Sequence, residues 1–208
     1  METTPEISEK PCSAMISPLG HVGSFALAST LTRKQFSLHQ SFVKAHQIYQ
    51  EIDPTLVQDL FRWMRAEERN LYKTTLSSLG QARNLRLVFL QKKSVDDQIA
   101  FIHKILKLKS QDLVGEHLLQ VWFMKGQQDL LRTFCDRMEI EHDGNGQVTG
   151  DLPKELDDEK LATTTNRLLE MFDHKLVTTY LYVFNLQTPD GWENLTKVLE
   201  EDERLKLV

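Results

Sequence analysis

The sequence predicts an all-α fold of three stacked helical units, α-solenoid-like with two to three helices each, behind a flexible N-terminal tail. Three observations carry this. First, one helical phrase recurs: Asp53-Pro54-Thr55-Leu56-Val57, Ser110-Gln111-Asp112-Leu113-Val114 and Asp173-His174-Lys175-Leu176-Val177 each set a cap-type residue before a Leu-Val pair. An apolar-periodic run follows each, and self-similarity of this kind bears on architecture before any single residue does. Second, further landmarks keep the same order: an Asp-Asp opening in two units, an aromatic-rich middle helix, a third helix and an Arg-led ending. Third, 208 residues contain only 9 Gly and 6 Pro, too few for a loop-rich β architecture.

The tail spans residues 1 to about 35, where Ser, Thr, Pro and Gly mix without a sustained period. A short helix is expected near Phe25-Ala26-Leu27-Ala28. No acidic residue occurs from Lys10 to Gln50, and Met15-Ile16-Ser17 resembles the start of a targeting segment; a disordered tail is the preferred reading.

The remainder, 36–208, reads as one all-helical domain. Unit one covers about 36–88. Its first helix is expected from near Ser37 to Ile52, with Phe42, Ala45, Ile48 and Tyr49 on one face. Asp53 then caps a second helix with Pro54 in its first turn, and a third carries Leu71, Tyr72, Leu76 and Leu79. Unit two covers about 94–141. Its helices begin at Ser94 and Ser110, the second stopping near Gly126, and a third holds Leu130, Leu131, Phe134, Cys135 and Met138. Unit three covers about 155–208, with Leu161, Leu168 and Leu169 in its first helix, a second from Asp173 to about Leu186, a turn at Thr188-Pro189-Asp190-Gly191, and a last helix with Trp192, Leu195, Val198 and Leu199. About nine helices result. The architecture resembles an α-solenoid of armadillo or HEAT type, in which a unit buries its face by stacking on the next.

Composition narrows the chemistry. The chain is mildly acidic, with a net charge of −5, so no global attraction to nucleic acid or anionic membrane is expected. Two cysteines, Cys12 and Cys135, exclude a disulfide framework and favour a reducing cytoplasm. No apolar run is long enough to span a membrane.

Catalytic and metal signatures are weak. No pair among His21, His39, His46, His103, His117, His142 and His174 has the i,i+4 spacing of a shared metal. The segment Glu141-His142-Asp143-Gly144-Asn145-Gly146 imitates a calcium loop, yet Leu152 stands where the bidentate carboxylate belongs. A turn using Gly144 and Gly146 at positive φ is expected instead. Cys135 lies in an apolar helix and reads as packing, not as a nucleophile. Asp96 and Asp157 suit helix N-termini. No cofactor is called for.

Charge distribution gives the functional hint. Arg83, Arg86, Lys92, Lys93, Lys104, Lys107 and Lys109 face only Asp96 and Asp97 within Arg83–Lys109, a balance of +5. Residues 139–160 balance to −6, eight acids against Lys154 and Lys160. The favoured function is a non-catalytic helical-repeat scaffold for a protein or peptide partner. The alternatives are nucleic-acid association through the basic segment 83–109 and an enzyme with an unrecognised site.

Overall fold

The computed structural model describes residues 43–207. The expected tail, its short helix and targeting-like segment, Cys12, His21, His39 and the stretch Ser37–Phe42 lie outside the described residues. Ten α-helices follow one another: α1 (Ala45–Glu51), α2 (Pro54–Glu67), α3 (Arg69–Gln81), α4 (Leu87–Gln91), α5 (Val95–Leu106), α6 (Asp112–Gly126), α7 (Gln128–Met138), α8 (Asp158–Met171), α9 (His174–Asn185) and α10 (Glu193–Glu201). Short 3₁₀ turns occupy Lys109–Gln111 and Glu203–Leu205. No strand occurs among the described residues, only an antiparallel bridge between His142 and Val148. No helix among them is long and apolar enough to cross a membrane.

Local signals placed several elements closely. Asp53 accepts from the backbone N–H of Thr55, and Pro54 fills the first turn of α2. Asp173 accepts from the N–H groups of Lys175 and Leu176 at the start of α9. Ser94 accepts from the N–H of Asp97 and caps α5, and Asp157 does the same for α8 through Lys160. Each such cap replaces water on an N–H that the helix itself leaves unpaired.

The second copy of the phrase behaves differently. Ser110 does not start α6; a 3₁₀ turn over Lys109–Gln111 comes first, and the helix begins at Asp112. The Asp112 carboxylate is engaged elsewhere, accepting from the backbone N–H of His46 at 2.9 Å and meeting its ring Nδ1 at 2.8 Å. Burial opposes ionisation there, but these His46 contacts prevail and hold Asp112 below the usual carboxylate range. Leu113 and Val114 consequently stand 81% and 37% exposed, whereas Leu56, Val57 and Val177 are buried. Gly126 closes α6 without a left-handed turn. Its missing side chain makes room for two indoles: a Cβ would sit 2.9 Å from Trp63 and 3.1 Å from Trp122.

The additional helix relative to expectation is α4. The three Arg-led endings also differ from one another: a turn into α4, a left-handed Glu139 after α7, and a 3₁₀ turn at Arg204. One continuous core draws on all ten helices, and its aromatic part lies around α6, α7 and α9. Phe134 meets Tyr180 at 5.3 Å and Phe184 at 4.7 Å between ring centroids, and Phe184 stacks on Trp192 at 4.7 Å. The run Tyr180–Phe184 is thus a central helix, as its all-round apolarity implies.

Candidate anion-binding groove

The end of α2, the start of α3, α4 and the start of α5 enclose a groove of about 730 Å³. Arg62 and Arg65 reach it from α2, Arg69 and Lys73 from α3. Tyr72, Leu76, Gln91, Val95, Gln98 and Ala66 complete the lining, and no carboxylate is among them. The cations follow one another at intervals of three, four and four residues, the spacing that keeps side chains on one helical face. The helix breaks at Glu68, yet α3 restarts at Arg69 and the stripe continues.

The floor is built from satisfied polar groups. The Tyr72 hydroxyl donates to the Gln98 side-chain oxygen at 3.0 Å, while the Gln98 amide donates to the carbonyl of Lys93 at 3.0 Å. Burial raises the Tyr72 phenol, and nearby Arg65 partly offsets it. Tyr72 is 3% exposed, so its ring offers no free face to a ligand.

The walls hold surplus charge. Arg62 pairs with Asp96 at 2.9 Å, but both side chains are well exposed and such pairs contribute little. Arg65, Arg69 and Lys73 have no ion-pair partner among the described residues. Glu68, the nearest carboxylate in sequence, is turned to Lys125. Arg69 occupies the first position of α3, where the helix dipole disfavours a cation, and no acid stands in that first turn. Like charges gathered in a cleft raise the local positive potential and concentrate anions there.

The residues singled out from sequence are elsewhere. Arg83, Arg86, Lys92 and Lys93 are exposed and flank α4, which forms one wall of the groove through Gln91. Lys104, Lys107 and Lys109 lie at the opposite end of α5, Lys104 roughly 14 Å along the helix axis from Val95. There Gln50 donates to the carbonyl of Lys107 and ties that end to α1. The basic segment is therefore split, and none of its seven cations lines the groove. Arg62, Arg65, Arg69 and Lys73 were not singled out from sequence. The helical spacing of those cations is the signal that finds them.

Beside the groove, Leu85, Val88 and Phe89 are 40%, 60% and 61% exposed. The acidic segment occupies the connection from α7 to α8, where Glu139 pairs with Lys160. The calcium-like loop is a turn. Gly144 and Gly146 take φ of +90° and +87°, and the Asp143 carboxylate accepts from the N–H groups of Asn145 and Gln147. The His142 ring accepts at Nδ1 from Gly144 and Gly146, so its proton sits on Nε2, facing Asp136. Cys135 is buried, its Sγ 3.6 Å from the Gly146 carbonyl, and burial pushes its thiol pKa up to about 11. Among the described residues no group of three or more His, Cys, Asp or Glu side chains is arranged to hold a metal.

The chain matches no family model, and comparison with curated proteins and with solved structures found no match.

Proposed function

We propose that the protein is a non-catalytic helical binding module that takes an acidic segment of a partner protein in the groove between α2, α3, α4 and α5. One observation carries this reading: four cations and no carboxylate line the cleft, and three of the four have no ion-pair partner among the described residues. Arginine suits the role, because its planar fork pairs a carboxylate through two hydrogen bonds. The Ala66, Leu76 and Val95 side chains favour a segment whose acids flank apolar residues. Exposed Val88 and Phe89 extend that apolar contact along the rim.

Nucleic acid fits the same groove less well. The lining holds one aromatic ring, Tyr72, and it is buried, so inside the groove bases have no ring to stack on and only Phe89 at the rim is open. A net charge of −5 also opposes a long polyanion beyond the groove.

We further infer that the three units stack in chain order. What supports this is that α3 meets α5, α7 meets α8, α2 meets α6 and α6 meets α9. The ends also approach one another, through contact of α1 with α9 and the ion pair of Lys175 with Asp53, giving a closed bundle rather than an open row.

The test is a fluorescence-anisotropy titration of the full chain with a labelled Glu/Leu peptide and, separately, a single-stranded oligonucleotide of equal charge. The reading expects saturable peptide binding that is at least tenfold weaker for Arg65→Glu/Arg69→Glu. Preferential oligonucleotide binding that falls with Lys92→Glu/Lys93→Glu would replace it with the nucleic-acid reading.

A further inference from the structure

A second cavity, independent of the groove, lies between α6, α7, α9 and the loop over Gly146–Leu152. It measures about 220 Å³. Its walls are mainly apolar: Phe123, Leu131, Val183 and Phe184, closed by Val148 of the loop. A space of this size exceeds the roughly 150 Å³ of an engineered apolar cavity that takes benzene, and falls short of a drug-sized pocket.

One polar group inside stands out. Tyr180 lines the cavity and is 4% exposed. The other two buried phenols have partners, Tyr49 the carbonyl of Gly115 at 3.4 Å and Tyr72 the side chain of Gln98 at 3.0 Å. The Tyr180 hydroxyl has none among the described residues. Unlike Gln58, Thr165 and Thr188, whose unpaired polar atoms are sealed, the Tyr180 hydroxyl keeps some exposure, so it stands as an unengaged donor at the cavity that Tyr180 lines. The ring alone would pack equally well as Phe against Phe123 and Phe134, at 5.4 and 5.3 Å. Nor is this a reaction centre. The neighbouring Cys135 thiol donates toward the Gly146 carbonyl and, with burial, further disfavours ionising the phenol. Tyr180 is thereby held as a donor.

We propose that this cavity binds a small, mainly apolar molecule carrying one hydrogen-bond acceptor, of the aryl-ketone or short-ester class, with the Tyr180 hydroxyl donating to that acceptor. The loop from Asp143 to Leu152 is the cover. Its geometry is set by the backbone N–H groups that His142 and Asp143 accept, and Gly146 comes so close to α7 that a Cβ would lie 2.5 Å from the backbone nitrogen of Arg132. The cover therefore seats on the cavity in one arrangement, and Gln147 at its mouth is exposed to solvent.

The test uses acetophenone and ethylbenzene, two probes of similar shape of which only the first has an acceptor. Titrations of the full chain are followed by amide chemical shifts. The proposal expects saturable one-to-one binding of acetophenone, with shifts centred on Val148, Tyr180 and Phe184. Tyr180→Phe should weaken acetophenone about tenfold and leave ethylbenzene within about twofold, the ratio one hydrogen bond supplies. Val148→Trp, which fills the mouth, should abolish both, with Leu152→Trp as a second filling variant should the first melt early. Absence of saturable binding, meaning a cavity that holds solvent only, would overturn the proposal. So would an acetophenone affinity unchanged by Tyr180→Phe.

Discussion

The two halves of this bundle treat their side chains in opposite ways. Around α6, α7 and α9, aromatic rings interlock and even the polar atoms are sequestered: Phe134, Phe123 and Trp122 are at most 2% exposed. Around α2, α3, α4 and α5, the apolar floor is equally closed by Leu60, Leu76 and Leu90, but cations crowd its rim and only Arg62 has a carboxylate, Asp96, to answer it. The first half spends its sequence on packing. The second tolerates repulsion between neighbouring cations and a cation at the wrong end of a helix, which stability alone does not favour. On the function proposed above, the difference separates a region closed on itself from a region offered to a partner.

Substitutions should therefore divide by region. Phe134→Ala removes a ring wedged between Tyr180 and Phe184, and is expected to cost about 3–5 kcal/mol in urea unfolding. A cost below about 1 kcal/mol would mean that the aromatic half is not the stabilising one. Gly146→Ala comes next. Its φ of +87° and a Cβ placed 2.5 Å from Arg132 N and from Leu131 Cβ leave no room, so a loss of at least about 1–2 kcal/mol is expected in the same assay.

Acid should act on the seam between the starts of α2 and α9. The hydrogen bond from Lys175, aided by those from Thr55, holds the Asp53 carboxyl well below the usual carboxylate range. A carboxyl with a depressed folded pKa contributes stability above its unfolded pKa and loses it as pH falls through and below about 4. Asp53→Asn should flatten the acid limb of a melting-temperature profile by a small amount, since Lys175 is largely exposed. Identical profiles for wild type and variant would remove this pair from the account. Smallest of all for stability is the groove: Arg65→Glu/Arg69→Glu should shift unfolding by no more than about 0.5 kcal/mol per site. A large loss would show those arginines to be structural.

Legibility in the sequence follows the same division. The bounds of α9 are legible to within a residue at each end, because a capping Asp173 and the apolar run Tyr180–Phe184 specify it locally. The copy at Ser110–Val114 misled, because Asp112 binds His46, sixty-six positions away in the chain, and that contact is invisible in a five-residue phrase. Gly126 ends α6 where the sequence indicates, but its close packing is not legible there, because it depends on Trp63 from another helix. The groove was hidden by summing charge along the chain. Within residues 59–73, Asp59, Glu67 and Glu68 nearly cancel Arg62, Arg65, Arg69 and Lys73, a balance of +1. Counting by helical face separates them. The cavity under the Gly146 loop has no sequence signature, since its walls come from three helices and a turn.

The most direct measurement is where an acidic peptide lands. Amide chemical shifts of the full chain, recorded while a Glu/Leu peptide is added, should move at Arg62–Lys73 and Gln91–Gln98, and stay still in the Arg65→Glu/Arg69→Glu protein. Shifts confined to Lys104–Lys109, or spread evenly over the surface, would contradict the groove as the binding site.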